Sequence, residues 1–221
     1  MRGSVKMSNW LDDQLHKDEM KRRYPIMCNI YNKHYTVRSH WTKIVVPATD
    51  RPMIEDFAIK RLEDKQKRND HGYTVDKHKA VERGIIGVVA EWAIVLNAKT
   101  HGIQLTMDTT IGSATEHNVP DFPEINTGCK SSKMGNVPVI YKNEHHTYPQ
   151  IISLVEEQED GSFIVYVLGV AYPKILNDSR NRSDDGIVDP RMLYKKTAFI
   201  GTKWLTPWET YISRVKENMA S

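Results

Sequence analysis

An α/β fold, a sheet packed with helices, is predicted by three features of the 221-residue chain. The segment GIIGVVAEWAIVL, 84–96, is apolar around its whole helical circumference, so it must be packed on most sides. IISLVEE (151–157) and SFIVYVLGVAY (162–172) are rich in β-branched and aromatic residues and meet at Gly161, as two core strands joined by a turn would. Further helix signals lie before and after these runs, which sets helices against a sheet. The length suits one core with an extension better than two full domains. We therefore expect an N-terminal helical and hairpin extension over 1–75 and a core over 76–221.

The elements follow in order. Residues 8–23 carry Trp10, Leu11, Leu15 and Met20 near helical spacing, with acids early and Lys21, Arg22 and Arg23 late, as a helix dipole prefers. From Tyr24 to Val46, aromatic and β-branched residues interleave with Lys33, His34, Arg38, His40 and Lys43, the pattern of a strand or hairpin with a basic face. A surface helix is expected over 50–68, with Asp50 at its N-cap, Pro52 in the first turn and Ile54, Phe57, Ala58 and Leu62 along one stripe. NDHGY, 69–73, ends it. After the apolar helix come extended stretches around 102–108, 116–122 and 125–131, then a polar connection at 141–149 and the two core strands. Residues 173–191 read as a turn of helix and a polar loop, KKTAFIG as a strand, and PWETYISRVKEN as a closing helix.

Composition removes several function classes. The net charge is +3 with 27% charged residues of both signs, so no polycationic tail marks a nucleic-acid partner. Cys28 and Cys129 are the two cysteines, outside any CxxC spacing, which favours neither a disulfide framework nor a zinc knuckle. No apolar run approaches the ~20 residues of a membrane span, no signal-peptide core is present, and a reducing intracellular setting is expected. Walker, GxGxxG and GxSxG patterns are absent, which takes the usual support from nucleotide-dependent and serine-hydrolase readings.

Glu91 is the one charged residue in the apolar helix segment. A carboxylate there needs a salt-bridge partner, a cap or a metal, so both an architectural and a catalytic role stand open. VPDFPEINTGCKSSKMGNVPVI, 119–140, raises the same choice. Asp121 after proline is a turn residue or a ligand, and Lys130 is a solvated strand residue or an ammonium aimed at phosphate. Glu144, His145 and His146 form a polar loop or a metal site, and Gln150 opens a strand near this region or faces water. Lys174, Arg180, Arg182 and Arg191 offer phosphate contacts, offset by Asp178, Asp184, Asp185 and Asp189.

Taken in order, ERGIIGVVAEWAIVL, VPDF and TGCKSS resemble the PD-(D/E)XK, or restriction-endonuclease-like, nuclease superfamily over residues 78–172. The resemblance implies a restriction-endonuclease-like mixed sheet and a Mg²⁺-dependent deoxyribonuclease in which Mn²⁺ can substitute. Asp121 would be the central metal ligand, Glu91 a second, the Cys129 backbone carbonyl a third, and Lys130 would position the attacking water. It also implies DNA as partner, dimer or DNA contacts from the extension, and a phage or mobile-element protein at work in the host cytoplasm. One residue departs from the triplet: Gly128 stands where the family has Asp or Glu two positions before the lysine. Relocation of that acid to Glu91 restores the set; otherwise the site is silent and the protein binds nucleic acid without cutting it. A small-molecule enzyme using Asp121 and Lys130 as an acid/base pair would need no metal.

Overall fold

Small and β-branched side chains let one long helix lie close on a sheet. Helix α2, Lys77–Thr100, buries Val88, Val89, Ala90, Ala93, Ile94 and Ala98. The computed structural model in which it lies describes residues 40–67, 77–107, 119–136, 138, 140–141, 145–177, 197–198 and 202–220. Ahead of α2 come strand β1, Thr42–Val46, and helix α1, Arg51–Lys67. Behind it come β2 (Gly128–Lys133), β3 (Ile140–Tyr141), β4 (Gln150–Glu157), β5 (Phe163–Ala171), the short α3 (Pro173–Asn177), β6 (Thr197–Ala198) and α4 (Trp208–Ala220).

The main sheet has the order β1-β5-β4-β2. β4 pairs antiparallel with β5, β5 antiparallel with β1, and β2 parallel with β4, so the sheet is mixed and its helices lie against it, as expected from the sequence. β3 and β6 form a separate two-stranded ribbon. On the α2 side, Ile44, Val46, Ile151, Val155 and Val165 join Ile54 and Ala58 of α1 and Trp208 and Ile212 of α4 in one core. The opposite face packs Ile152, Leu154 and Leu168 against Trp41, Leu176 and Leu205. No helix among the described residues is long and apolar enough to cross a membrane.

The register skips between Ile152 and Ser153, whose partners are Gly169 and Val167, so Leu168 is the extra residue of a bulge. Beside it Gly169 takes φ +142°, and a Cβ there would lie 2.6 Å from the Thr206 carbonyl oxygen and 2.8 Å from Leu205 Cβ. Val170 and Thr206 exchange backbone hydrogen bonds of 2.8 and 2.9 Å at this point, which leaves no room for a side chain.

Several expectations shift. The predicted extension is not separate at residues 42–67, because β1 is hydrogen-bonded into the sheet and α1 packs on α2. The rest of that segment, with the helix expected at 8–23, lies outside the described residues. Asp50 ends a 3-10 turn and accepts the Trp92 indole N–H at 2.7 Å, tying the start of α1 to α2. Ile103–Met107 is not a strand: His101 and Gly102 (φ +79°) turn the chain out of α2, and Ile103 and Leu105 are buried without a ladder. The strand expected from 125 begins at Gly128, because Pro123–Ile125 forms a 3-10 turn and Asn126 is left-handed at φ 48°.

Candidate active site

The stretch around Asp121 is a tight reversal. Phe122 and Thr127 exchange backbone hydrogen bonds of 2.9 and 3.2 Å across the 3-10 turn, which leads Asp121 back beside the start of β2. Among the described residues β2 is an edge strand. Gly128 N–H donates to Pro149 at 2.9 Å and Met134 N–H to Val155 at 2.7 Å, so even-numbered backbone groups face β4 and odd-numbered ones face outward. The outward Cys129 N–H would be an orphan donor, and Asp121 Oδ2 accepts it at 2.6 Å. The Cys129 carbonyl opens along the same edge, since N–H and C=O of one strand residue point the same way.

Side chains alternate across the strand. The odd-numbered ones meet α2: Ser131 Oγ donates to the Ile86 carbonyl at 3.4 Å, Lys133 Nζ pairs with Glu82 at 2.9 Å, and Cys129 packs against the core. Glu91, 8% exposed, is held by Arg61, whose Nη1 lies 2.9 Å from one carboxylate oxygen and 3.0 Å from the other. The Arg61 guanidinium also stacks on Phe57, 4.5 Å from the ring centroid. The buried acid thus has the ionic partner that its position demands.

The field of both carboxylates reaches Cys129. Burial pushes its thiol well above the ordinary range, and Asp121 and Glu91 both push it further, while Ser153 and Lys130 partly offset the rise. The Ser153 hydroxyl is itself buried without reaching hydrogen-bond geometry to any partner. A thiol so placed stays protonated at neutral pH and is no nucleophile.

Lys130 is even-numbered and lies on the other face of β2, in register with Ile152. It is half-buried, and its side chain makes no hydrogen bond or ion pair with a described residue. Asp121 and Glu91 therefore share a neighbour, whereas Lys130 is set on the far side of the strand from Glu91. On Lys130's face, Gly128 is paired with Gln150. Gln150 is 3% exposed, and its Oε1 is buried with no hydrogen-bond partner.

No family model, curated protein or solved structure matches the chain. Among the described residues no three His, Cys, Asp or Glu side chains gather as a metal cluster. Mg²⁺ does not require one: it keeps several waters and is commonly bound through one or two carboxylates together with substrate phosphate. The Asp121 carboxylate and the Cys129 carbonyl are hard oxygen donors on one strand edge and fit that demand.

The remaining candidates separate. Glu124 is exposed and accepts the Thr106 N–H at 3.0 Å as well as the Thr106 hydroxyl, so it belongs to the turn. The His146 backbone is clasped by Asn177 at 2.9 and 2.8 Å, His145 is exposed, and Glu144 lies outside the described residues. So do Arg180, Arg182 and Arg191, while Lys174 is exposed on α3. Sequence reasoning missed Arg61. Its signal is the four-residue step from Phe57, which places ring and guanidinium on the helix face turned to α2.

Proposed function

We propose that this chain is a metal-dependent DNA endonuclease of the PD-(D/E)XK type, with its active site at the outer edge of β2. The observation that carries it is the Asp121 carboxylate seated on the Cys129 amide, beside an outward Cys129 carbonyl and a Lys130 whose side chain pairs with no described residue. We assign a divalent ion to Asp121 and the Cys129 carbonyl, with Glu91 joining them on release from Arg61. A bound Mg²⁺ would neutralise charge on the scissile phosphate and make a coordinated water more acidic. Lys130 then acts at the same edge: its ammonium donates hydrogen bonds to a phosphate oxygen and holds the attacking water in line. The half-buried position of Lys130 lowers the solvent screening of its charge and strengthens that hold. DNA is the partner this chemistry calls for, the host cytoplasm is the compartment implied by a phage-type nuclease, and a homodimer would allow two nicks on opposite strands.

A second reading is a nucleic-acid-binding protein that does not cut. The Arg61 clasp on Glu91 favours it, since one carboxylate is already spent, as does Gly128 in place of an acid. The test is incubation with supercoiled plasmid and linear duplex in Mg²⁺, Mn²⁺ or EDTA, beside Asp121→Ala and Lys130→Ala. Metal-dependent cutting lost in both variants is expected. Gel-shift binding without cutting would transfer the assignment to the silent binder, and cutting in EDTA would end the metal reading.

A further inference from the structure

Gly128 is a glycine for space. It is not among the positive-φ glycines, so its backbone asks for no special residue. A Cβ at this position would instead lie 2.5 Å from Gln150 Oε1, 2.7 Å from Nε2 and 2.9 Å from Cδ. The carboxamide of Gln150, on the neighbouring strand, fills the volume that a side chain at position 128 would claim. It does so 97% buried, given its 3% exposure, with its oxygen unpartnered. An orphan buried carbonyl is costly, and a cation is one of the few partners that turns the cost into binding.

The geometry points to Gln150 Oε1 as the oxygen donor that stands in for the missing acid of the triplet, a further protein ligand of the divalent-cation site at Asp121 and the Cys129 carbonyl. This rests on the metal-dependent reading above and deepens it: the donor comes from β4 across the parallel pair, two positions along β2 from Lys130 and on the same face. A neutral amide in place of a carboxylate leaves the site less negative, so it should bind Mg²⁺ or Mn²⁺ more weakly without substrate and gain from the phosphate's own charge.

The test is Mn²⁺ binding to the full chain by calorimetry and thermal shift, with nucleic acid absent. Gln150→Leu should weaken Mn²⁺ at least ~10-fold, the range seen when a group supporting a metal site is lost, while the metal-free midpoint holds or rises because the orphan oxygen is gone. Gln150→Glu should tighten binding. Gly128→Ala removes no donor but displaces the amide, so it should weaken binding like Gln150→Leu. The exchange Gly128→Glu with Gln150→Gly puts an acid into the same volume from the other strand and should restore binding. Unchanged affinity in both Gln150→Leu and Gly128→Ala, with binding lost in Asp121→Ala, would overturn the role of Gln150 and leave the metal site standing. No Mn²⁺ binding by the unaltered chain would overturn both.

Discussion

Removal of Arg61 asks what Glu91 is for. In Arg61→Met the aliphatic stem can still cover Phe57, but the Glu91 carboxylate, 8% exposed, loses its ion pair at 2.9 and 3.0 Å. Breaking a buried pair from one side costs about 3–5 kcal/mol, and we take the lower end, about 3 kcal/mol, because the Arg61 side chain is 29% exposed and water reaches it. For a chain of this size that corresponds to a fall of about 6–12 °C in the melting midpoint. Urea unfolding read at constant slope gives the free energy directly. Arg61→Met with Glu91→Leu removes the buried charge too and should return to within about 1 kcal/mol of the parent, a coupling expected only for groups in contact. A single variant losing less than about 1 kcal/mol, or a double variant no better than the single, would refute the clasp as a structural element. The same double variant separates the two roles of Glu91: a retained Mn²⁺ shift makes the acid architectural, and a lost shift makes it a ligand.

Two further outcomes follow from the packing. Gly169→Ala forces φ +142° on a residue with a Cβ and drives it against a backbone held by two hydrogen bonds, so a loss of about 2–4 kcal/mol in chemical denaturation is expected. Burial raises the Tyr211 phenol above its ordinary value of 10.0, partly offset by its hydrogen bond to Thr127. The folded state thus holds that proton more tightly than the unfolded chain, so its contribution is full below pH 10 and is lost as pH climbs through the raised value. Stability measured from pH 9 upward should fall less steeply in Tyr211→Phe, at a cost of about 1 kcal/mol at neutral pH.

What could be read from the sequence was whatever its periodicity controls. The apolar helix around Val89, the pair of strands turning at Gly161 and the closing helix at Trp208 all rest on local pattern, and each is present. The extended stretch expected at 102–108 joins no ladder, because alternation of Ile103 and Leu105 is equally served by a segment that buries both in the core without pairing. The turn at Pro123–Ile125 was hidden because an extended reading of EINTG ignores the left-handed Asn126. The site was legible only as a set of residue types. That Asp121 would sit on Cys129, that Arg61 would claim Glu91, and that Gln150 would fill the space over Gly128 depend on strand pairing and face. Such pairing joins positions far apart in the chain and leaves no local mark on either.

The sheet order carries a consequence for synthesis. Among the described residues β1 has one neighbour, β5, and Thr42 lies opposite Val167, so a strand made early must wait until most of the chain exists before it can make that pairing. Elongation at about 5–20 residues per second makes that a wait of several seconds, during which the TKIVV segment is an unsatisfied edge in the nascent chain. Lys43 within it and the prolines at 47 and 52 behind it act as gatekeepers against cross-chain pairing over that interval. The far partner also makes the closing of β1 onto β5 a slow, non-local step. Yield in a cell would then depend on chaperone supply and expression temperature more than on the stability of the finished protein.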